Sequence, residues 1–207
     1  MANLVTSLRF ILLYVLVIFA YQSDMWIRFL SVPLVIMIFI GDAIDGYVAR
    51  KFRETSQFGA VFDIAIDRVV ENVLWLILAD LDLIPVWVSI VFITRGFLVD
   101  SIRSKAGCQG QTPFAMMQSP TGKWLVAGRF MRGFYGAVKG TAFSMVFLIH
   151  ALPGVSPLFW QRWHEPFKVF TSMAVYLAVM LCVSRGLPVL IEFYQSEMVQ
   201  SKRIEQR

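Results

Sequence analysis

The sequence predicts an all-α protein, a polytopic membrane bundle of about six transmembrane helices with both termini cytoplasmic. Three observations predict it. Of the 207 residues, 57% are hydrophobic, above the roughly 45–50% of soluble domains. Apolar runs approaching the ~20 residues that cross a bilayer recur along the chain. Lys and Arg also gather in alternate connections between those runs, the bias that sets orientation.

The spans are expected at residues 8–21, 27–49, 59–79, 84–102, 134–152 and 169–194. The first is short and is tilted or partly interfacial. It lacks a small-residue cleavage site, so it is expected to stay as a span rather than be removed. Arg50, Lys51 and Arg53 lie between the second and third spans, and Arg103, Lys105, Lys123, Arg129 and Arg132 between the fourth and fifth. Lys202, Arg203 and Arg207 follow the sixth. The opposite side carries only Arg28, Arg162 and Lys168, with acidic Asp80 and Asp82.

Trp26, Trp160 and Trp163 fit bilayer-edge anchors on that far side, and His150 and His164 there read as structural or interfacial. Segment 106–132, with Gly107, Gly110, Pro113, Pro120 and Gly122, is the longest connection. It reads equally as an interfacial helix or a mobile functional loop. No internal repeat appears, and residues 1–207 read as a single transmembrane domain. The net charge of +5 comes without any nucleic-acid signature. A membrane surface and anionic substrates account for it. Cys108 and Cys182 have no metal or redox spacing and read as reduced structural thiols.

Against this apolar background stand four acids: Asp42 and Asp45 three residues apart, and Asp63 and Asp67 four apart. Each pair shares one face of its helix. An aspartate at mid-membrane costs about 3 kcal/mol, so four cost roughly 12 if uncompensated. That rivals the net stability of a whole domain. Hard oxygen donors from two adjacent helices suit Mg²⁺ or Mn²⁺, and four carboxylates suit two ions. A two-metal site clamps the attacking and leaving oxygens of a phosphoryl-type displacement. Gly46, Ala49 and Gly59 are small enough for a ligand to approach the backbone, though packing between helices explains such residues equally well. Arg50 is a permanent cation suited to phosphate. The basic loops place this cluster at the cytoplasmic ends of the second and third spans.

The run Asp42-x2-Asp45-Gly46-x2-Ala49-Arg50-x8-Gly59-x3-Asp63-x3-Asp67 resembles, position for position, the signature of the CDP-alcohol phosphatidyltransferases. It fixes eight residues in a 26-residue window. Asn3-x2-Thr6-x2-Arg9 is similar to the segment that opens many members. The resemblance implies a homodimeric integral membrane enzyme of phospholipid synthesis, in the cell inner membrane with its active site toward the cytoplasm. Such an enzyme moves a phosphatidyl group from a CDP-alcohol such as CDP-diacylglycerol to an acceptor alcohol and releases CMP. Asp42, Asp45, Asp63 and Asp67 would hold two divalent ions, with Asp67 also the general base. Gly46, Ala49, Arg50 and Gly59 would contact the CDP-alcohol.

The acceptor is expected among cations, which favour a phosphorylated alcohol. Arg95, Arg103, Arg132 and Lys139 are the candidates. Arg95 and Lys139 stand out because they fall within spans, where a charge needs a reason. Arg185 in the sixth span belongs to the same class. Thr94-Arg95-Gly96 resembles a segment of phosphatidylglycerophosphate synthases, with Gly96 where those carry Glu, and Asp67-Arg68 is similar to inositol-using members. Glycerol 3-phosphate is the favoured acceptor, and inositol phosphate or inositol the alternative. A divalent-cation transporter is the reading from another class, though the acids cluster toward one face and no repeat accompanies them. A non-catalytic relative that only binds activated lipids is a third.

Overall fold

The computed structural model describes residues 2–52, 57–108 and 122–205, and among them every regular element is helical. In chain order these are α1 (Ala2–Ala20), α2 (Met25–Phe29), α3 (Ser31–Phe52), α4 (Gln57–Asp80), α5 (Val86–Cys108), a π-helical turn (Lys123–Ala127), α6 (Arg129–Val155) and α7 (Pro157–Glu205).

Among the described residues three helical stretches are long and apolar enough to cross a membrane, over Met25–Asp42, Phe130–Val155 and Pro157–Ser196, and Thr6–Ala20 is a shorter apolar helix. The expected spans at 59–79 and 84–102 fall within α4 and α5. Both helices have the length to cross, but charges interrupt their apolar runs: Asp63, Asp67, Arg68 and Glu71 in α4, Arg95, Asp100 and Arg103 in α5. The expected second span begins in α2, which a single residue, Leu30, separates from α3. Most of segment 106–132 lies outside the described residues, so neither reading of it is decided; its last part forms the π-helical turn and the start of α6.

Local chemistry explains the breaks. Asp24 caps α2, its Oδ1 accepting from the backbone N–H groups of Trp26 (2.8 Å) and Ile27 (3.1 Å). Pro33 sits in the first turn of α3, where a missing N–H is harmless. α4 ends in a Schellman arrangement: Leu83 N–H donates to Leu78 O at 2.9 Å and Asp82 N–H to Ala79 O at 3.1 Å. Asp82 takes the left-handed conformation this requires, with φ 54°. Pro85 then precedes α5, and Pro157 opens α7 at the position that favours proline.

The chain divides into two compact units, Met1–Ser89 with Lys139–Val175, and Ile90–Val138 with Tyr176–Arg207. In the first, α1 packs against α3 and α4. Its buried stripe runs Thr6, Arg9, Leu13, Leu16 and Ala20, while Leu8, Ile11, Tyr14 and Ile18 face outward. An apolar outer face over an apolar inner one is what lipid contact demands. The stripe turns polar only at Thr6 and Arg9. Trp75 of α4 is fully buried, its ring centroid 4.3 Å from that of Phe143 on α6, which stacks on Phe39 of α3. Ser89 Oγ donates to Trp75 O at 2.7 Å, satisfying a buried hydroxyl. In the second unit Val99, Ile102, Val126 and Val189 form a buried cluster beneath Leu190 and Phe193.

Candidate active site

The polar end of the α1 stripe meets the acids of α3 and α4. Arg9 reaches from α1 with one guanidinium nitrogen 2.9 Å from Asp67 Oδ1 and the other 3.2 Å from Asp42 Oδ1 and 3.9 Å from Asp63 Oδ1. Thr6, one turn earlier, donates from Oγ1 to Asp63 Oδ1 at 3.4 Å. Asp63 and Asp67 arrive together because i,i+4 residues share a helix face, and Asp42 meets them from α3. Arg9 fits because Gly41 leaves room for its stem: a Cβ there would lie 3.1 Å from Arg9 Cγ and 3.2 Å from Cδ.

Burial is uneven. The Arg9 side chain is 5% exposed, whereas those of Asp42, Asp63 and Asp67 are 49%, 43% and 43% exposed. The cation therefore grips the acids from within, and their outer sides stay open. The side chains of Asp45, Gly46, Ala49 and Arg50 lie outside the described residues, although the α3 backbone runs through them to Phe52. Gly59 is buried near the start of α4.

One turn beyond Asp67, Glu71 accepts from Arg68 Nη1 at 3.2 Å and from Lys139 Nζ at 2.9 Å. Lys139, expected from the sequence beside the acceptor arginines, is thus tied to an acid of α4. Arg95, Arg103 and Arg132 belong to the second unit. There they gather within electrostatic reach of Arg185, which is 6% exposed. Arg185 Nη2 donates to Val126 O at 3.3 Å, and its guanidinium carbon lies 5.3 Å from the centroid of the Tyr135 ring. The buried Nε of Arg95 and the Nε and Nη1 of Arg185 have no hydrogen-bond partner among the described residues. Gly186 accommodates Arg95, for a Cβ there would come 2.8 Å from Arg95 Cγ.

Arg9, Thr6 and Gly41 are the site residues that sequence reasoning left without a role. The available signal was a charged residue inside an apolar helix, three residues after a hydroxyl. Among the described residues no three acidic, His or Cys side chains gather as a ready ligand set for a metal, and Arg9 contacts Asp42, Asp63 and Asp67 together. The donor set is nonetheless right for a hard divalent ion: all carboxylate oxygens, from two helices, partly open to solvent. Three carboxylates against one guanidinium leave a formal charge of −2 for such an ion to balance.

Fold and site define a helical membrane protein with an acidic centre in one unit and an arginine centre in the other. The family model for CDP-alcohol phosphatidyltransferase matches residues 1–194, and the chain belongs to that family. It is 34% identical over 83 residues to the CDP-diacylglycerol–glycerol-3-phosphate 3-phosphatidyltransferase of Bacillus subtilis (40% of this chain, 43% of the relative). It is 30% identical over 124 residues to such an enzyme of Arabidopsis thaliana (55% of this chain, 53% of the relative). A CDP-diacylglycerol–inositol 3-phosphatidyltransferase of the same plant is 49% identical over 43 residues (21% of this chain, 19% of the relative). The chain spans about half the length of the glycerol-phosphate relatives it matches.

Proposed function

We propose that the protein transfers a phosphatidyl group from CDP-diacylglycerol to the hydroxyl of glycerol 3-phosphate and releases CMP. The observation that carries this reading is the convergence of Asp42, Asp63 and Asp67 on one spot of α1. Together with Asp45 they would hold two Mg²⁺ or Mn²⁺ ions. Bound ions would supply electrostatic stabilisation of the diphosphate and of the departing CMP.

The chain's own residues do the rest. Gly46, Ala49 and Gly59 let the nucleotide lie close to the helix backbone, and Arg50 holds the diphosphate. Asp67 gives Oδ1 to Arg9, and its second oxygen takes the proton of the acceptor hydroxyl, general-base help of about 10²–10⁴-fold. Arg95, Arg103 and Arg132, joined by Arg185, bind the acceptor's phosphate. The buried Nε of Arg95 and the Nε and Nη1 of Arg185 can each donate to an acceptor, and a phosphate offers matching ones. Lys139 supports the site through Glu71. The spans number six, both termini and the site face the cytoplasm, and the protein works as a homodimer in the inner membrane.

Inositol or inositol phosphate is a second acceptor reading, supported by the short match to the plant inositol enzyme. One experiment decides among these. Purified protein is given CDP-diacylglycerol with glycerol 3-phosphate, inositol phosphate, inositol or serine, with Mn²⁺ or with chelator, and CMP is measured. CMP release with glycerol 3-phosphate that stops in chelator is expected. No CMP from any acceptor, or metal flux in proteoliposomes without CMP, overturns the reading.

A further inference from the structure

Arg9 is chemically out of place unless the acids need it. It lies on the buried face of an apolar helix, and its side chain is 5% exposed. A buried cation needs close partners, and here the partners are Oδ1 atoms of three different aspartates at 2.9, 3.2 and 3.9 Å. Gly41 clears its path, since any side chain there would press on the arginine stem. Thr6 adds a hydroxyl to the same Asp63 oxygen.

We propose that Arg9 is a built-in counter-ion: it competes with divalent cations for the Oδ1 atoms of Asp42, Asp63 and Asp67, and so sets how tightly those cations are held. The inference rests on the acids being the ion-holding site of the proposed transferase. An oxygen turned toward a guanidinium is turned away from an ion on the open side, and a positive charge so near opposes a second one. Arg9 also keeps the three carboxylates together against their mutual repulsion. The protein thereby holds a convergent cluster whose grip on ions is weaker than these three carboxylates alone would make it.

The test uses the full chain in detergent, with free Mn²⁺ followed by electron paramagnetic resonance and thermal midpoints read in chelator and in Mn²⁺. Arg9→Gln is expected to bind Mn²⁺ more tightly, by roughly tenfold or more. Its midpoint should be lower than wild type in chelator and recover in Mn²⁺. Arg9→Lys keeps the opposing positive charge, so its affinity should stay within about threefold of wild type and well below that of Arg9→Gln. Gly41→Ala presses on the stem, which must give by a few tenths of an ångström, and should shift affinity in the same direction as Arg9→Gln but less. Should Arg9→Gln fail to fold, Arg9→Lys and Gly41→Ala decide: equal affinity in both overturns the inference. Unchanged or weaker Mn²⁺ binding by a folded Arg9→Gln also overturns it, leaving the transferase reading standing. Absence of Mn²⁺ binding in the wild type removes both.

Discussion

At the residue scale the site is a matter of which oxygens face which cation. Asp67 touches Arg9 at 2.9 Å through Oδ1, and the proposed base function falls to its other oxygen. Asp67→Asn keeps size and shape but loses the charge that takes a proton. CMP release should therefore fall by at least about 10²-fold, with the thermal midpoint in detergent showing that the variant is folded. Near-normal turnover in a folded variant would assign the base elsewhere. The aspartates themselves are legible in the sequence, because acids at i,i+3 and i,i+4 within apolar helices need a reason. Arg9 is not legible as their partner. Its own helix says only that a charge sits among apolar residues, and the contact joins positions 58 residues apart.

Helices show the same division between what periodicity carries and what packing decides. The expected spans at 134–152 and 169–194 fall inside α6 and α7, but both helices overrun them. Charges at Arg162, Glu165 and Lys168 mark where lipid contact should stop. They do not stop a helix, since charged side chains propagate one well. The separation of α2 from α3 rests on the Asp24 cap, a short-range signal within an otherwise continuous apolar run. Gly186 reads in the sequence as one more small residue of a membrane helix; the structure makes it the place where α7 gives way to Arg95. A methyl group there forces the arginine aside. Gly186→Ala should raise the acceptor's KM several-fold while leaving that of CDP-diacylglycerol near wild type, measured by initial rates with each substrate varied in turn. Arg95→Ala should do the same more strongly. A change confined to the donor would place Arg95 with the nucleotide instead.

For the molecule as a whole, the orientation decides whether the chemistry is reachable. A CDP headgroup and a phosphorylated acceptor are charged and do not cross hydrocarbon, so acids facing the wrong side would be stranded from their substrates. α7 has 49 residues, roughly 70 Å of helix at 1.5 Å each, against about 30 Å of hydrocarbon. It must project from the bilayer, and its charges identify the ends: Arg162 and Lys168 near its start, Lys202 and Arg203 near its finish. Residues 103–132 carry five Lys and Arg against two in 153–168, and the proposed orientation puts the richer stretch in the cytoplasm. Proteins with one accessible cysteine test this directly. With Cys108 replaced by Ser and Cys182 left buried, Ser104→Cys and Gln161→Cys both place a thiol at an exposed position. A maleimide that cannot cross membranes should label Ser104→Cys in inverted vesicles but not in intact spheroplasts, and Gln161→Cys the other way round. The opposite pattern would put the acidic cluster on the outer face, where no supply of a CDP-linked lipid headgroup is expected. The transferase reading would then give way to one in which the acids serve ions alone.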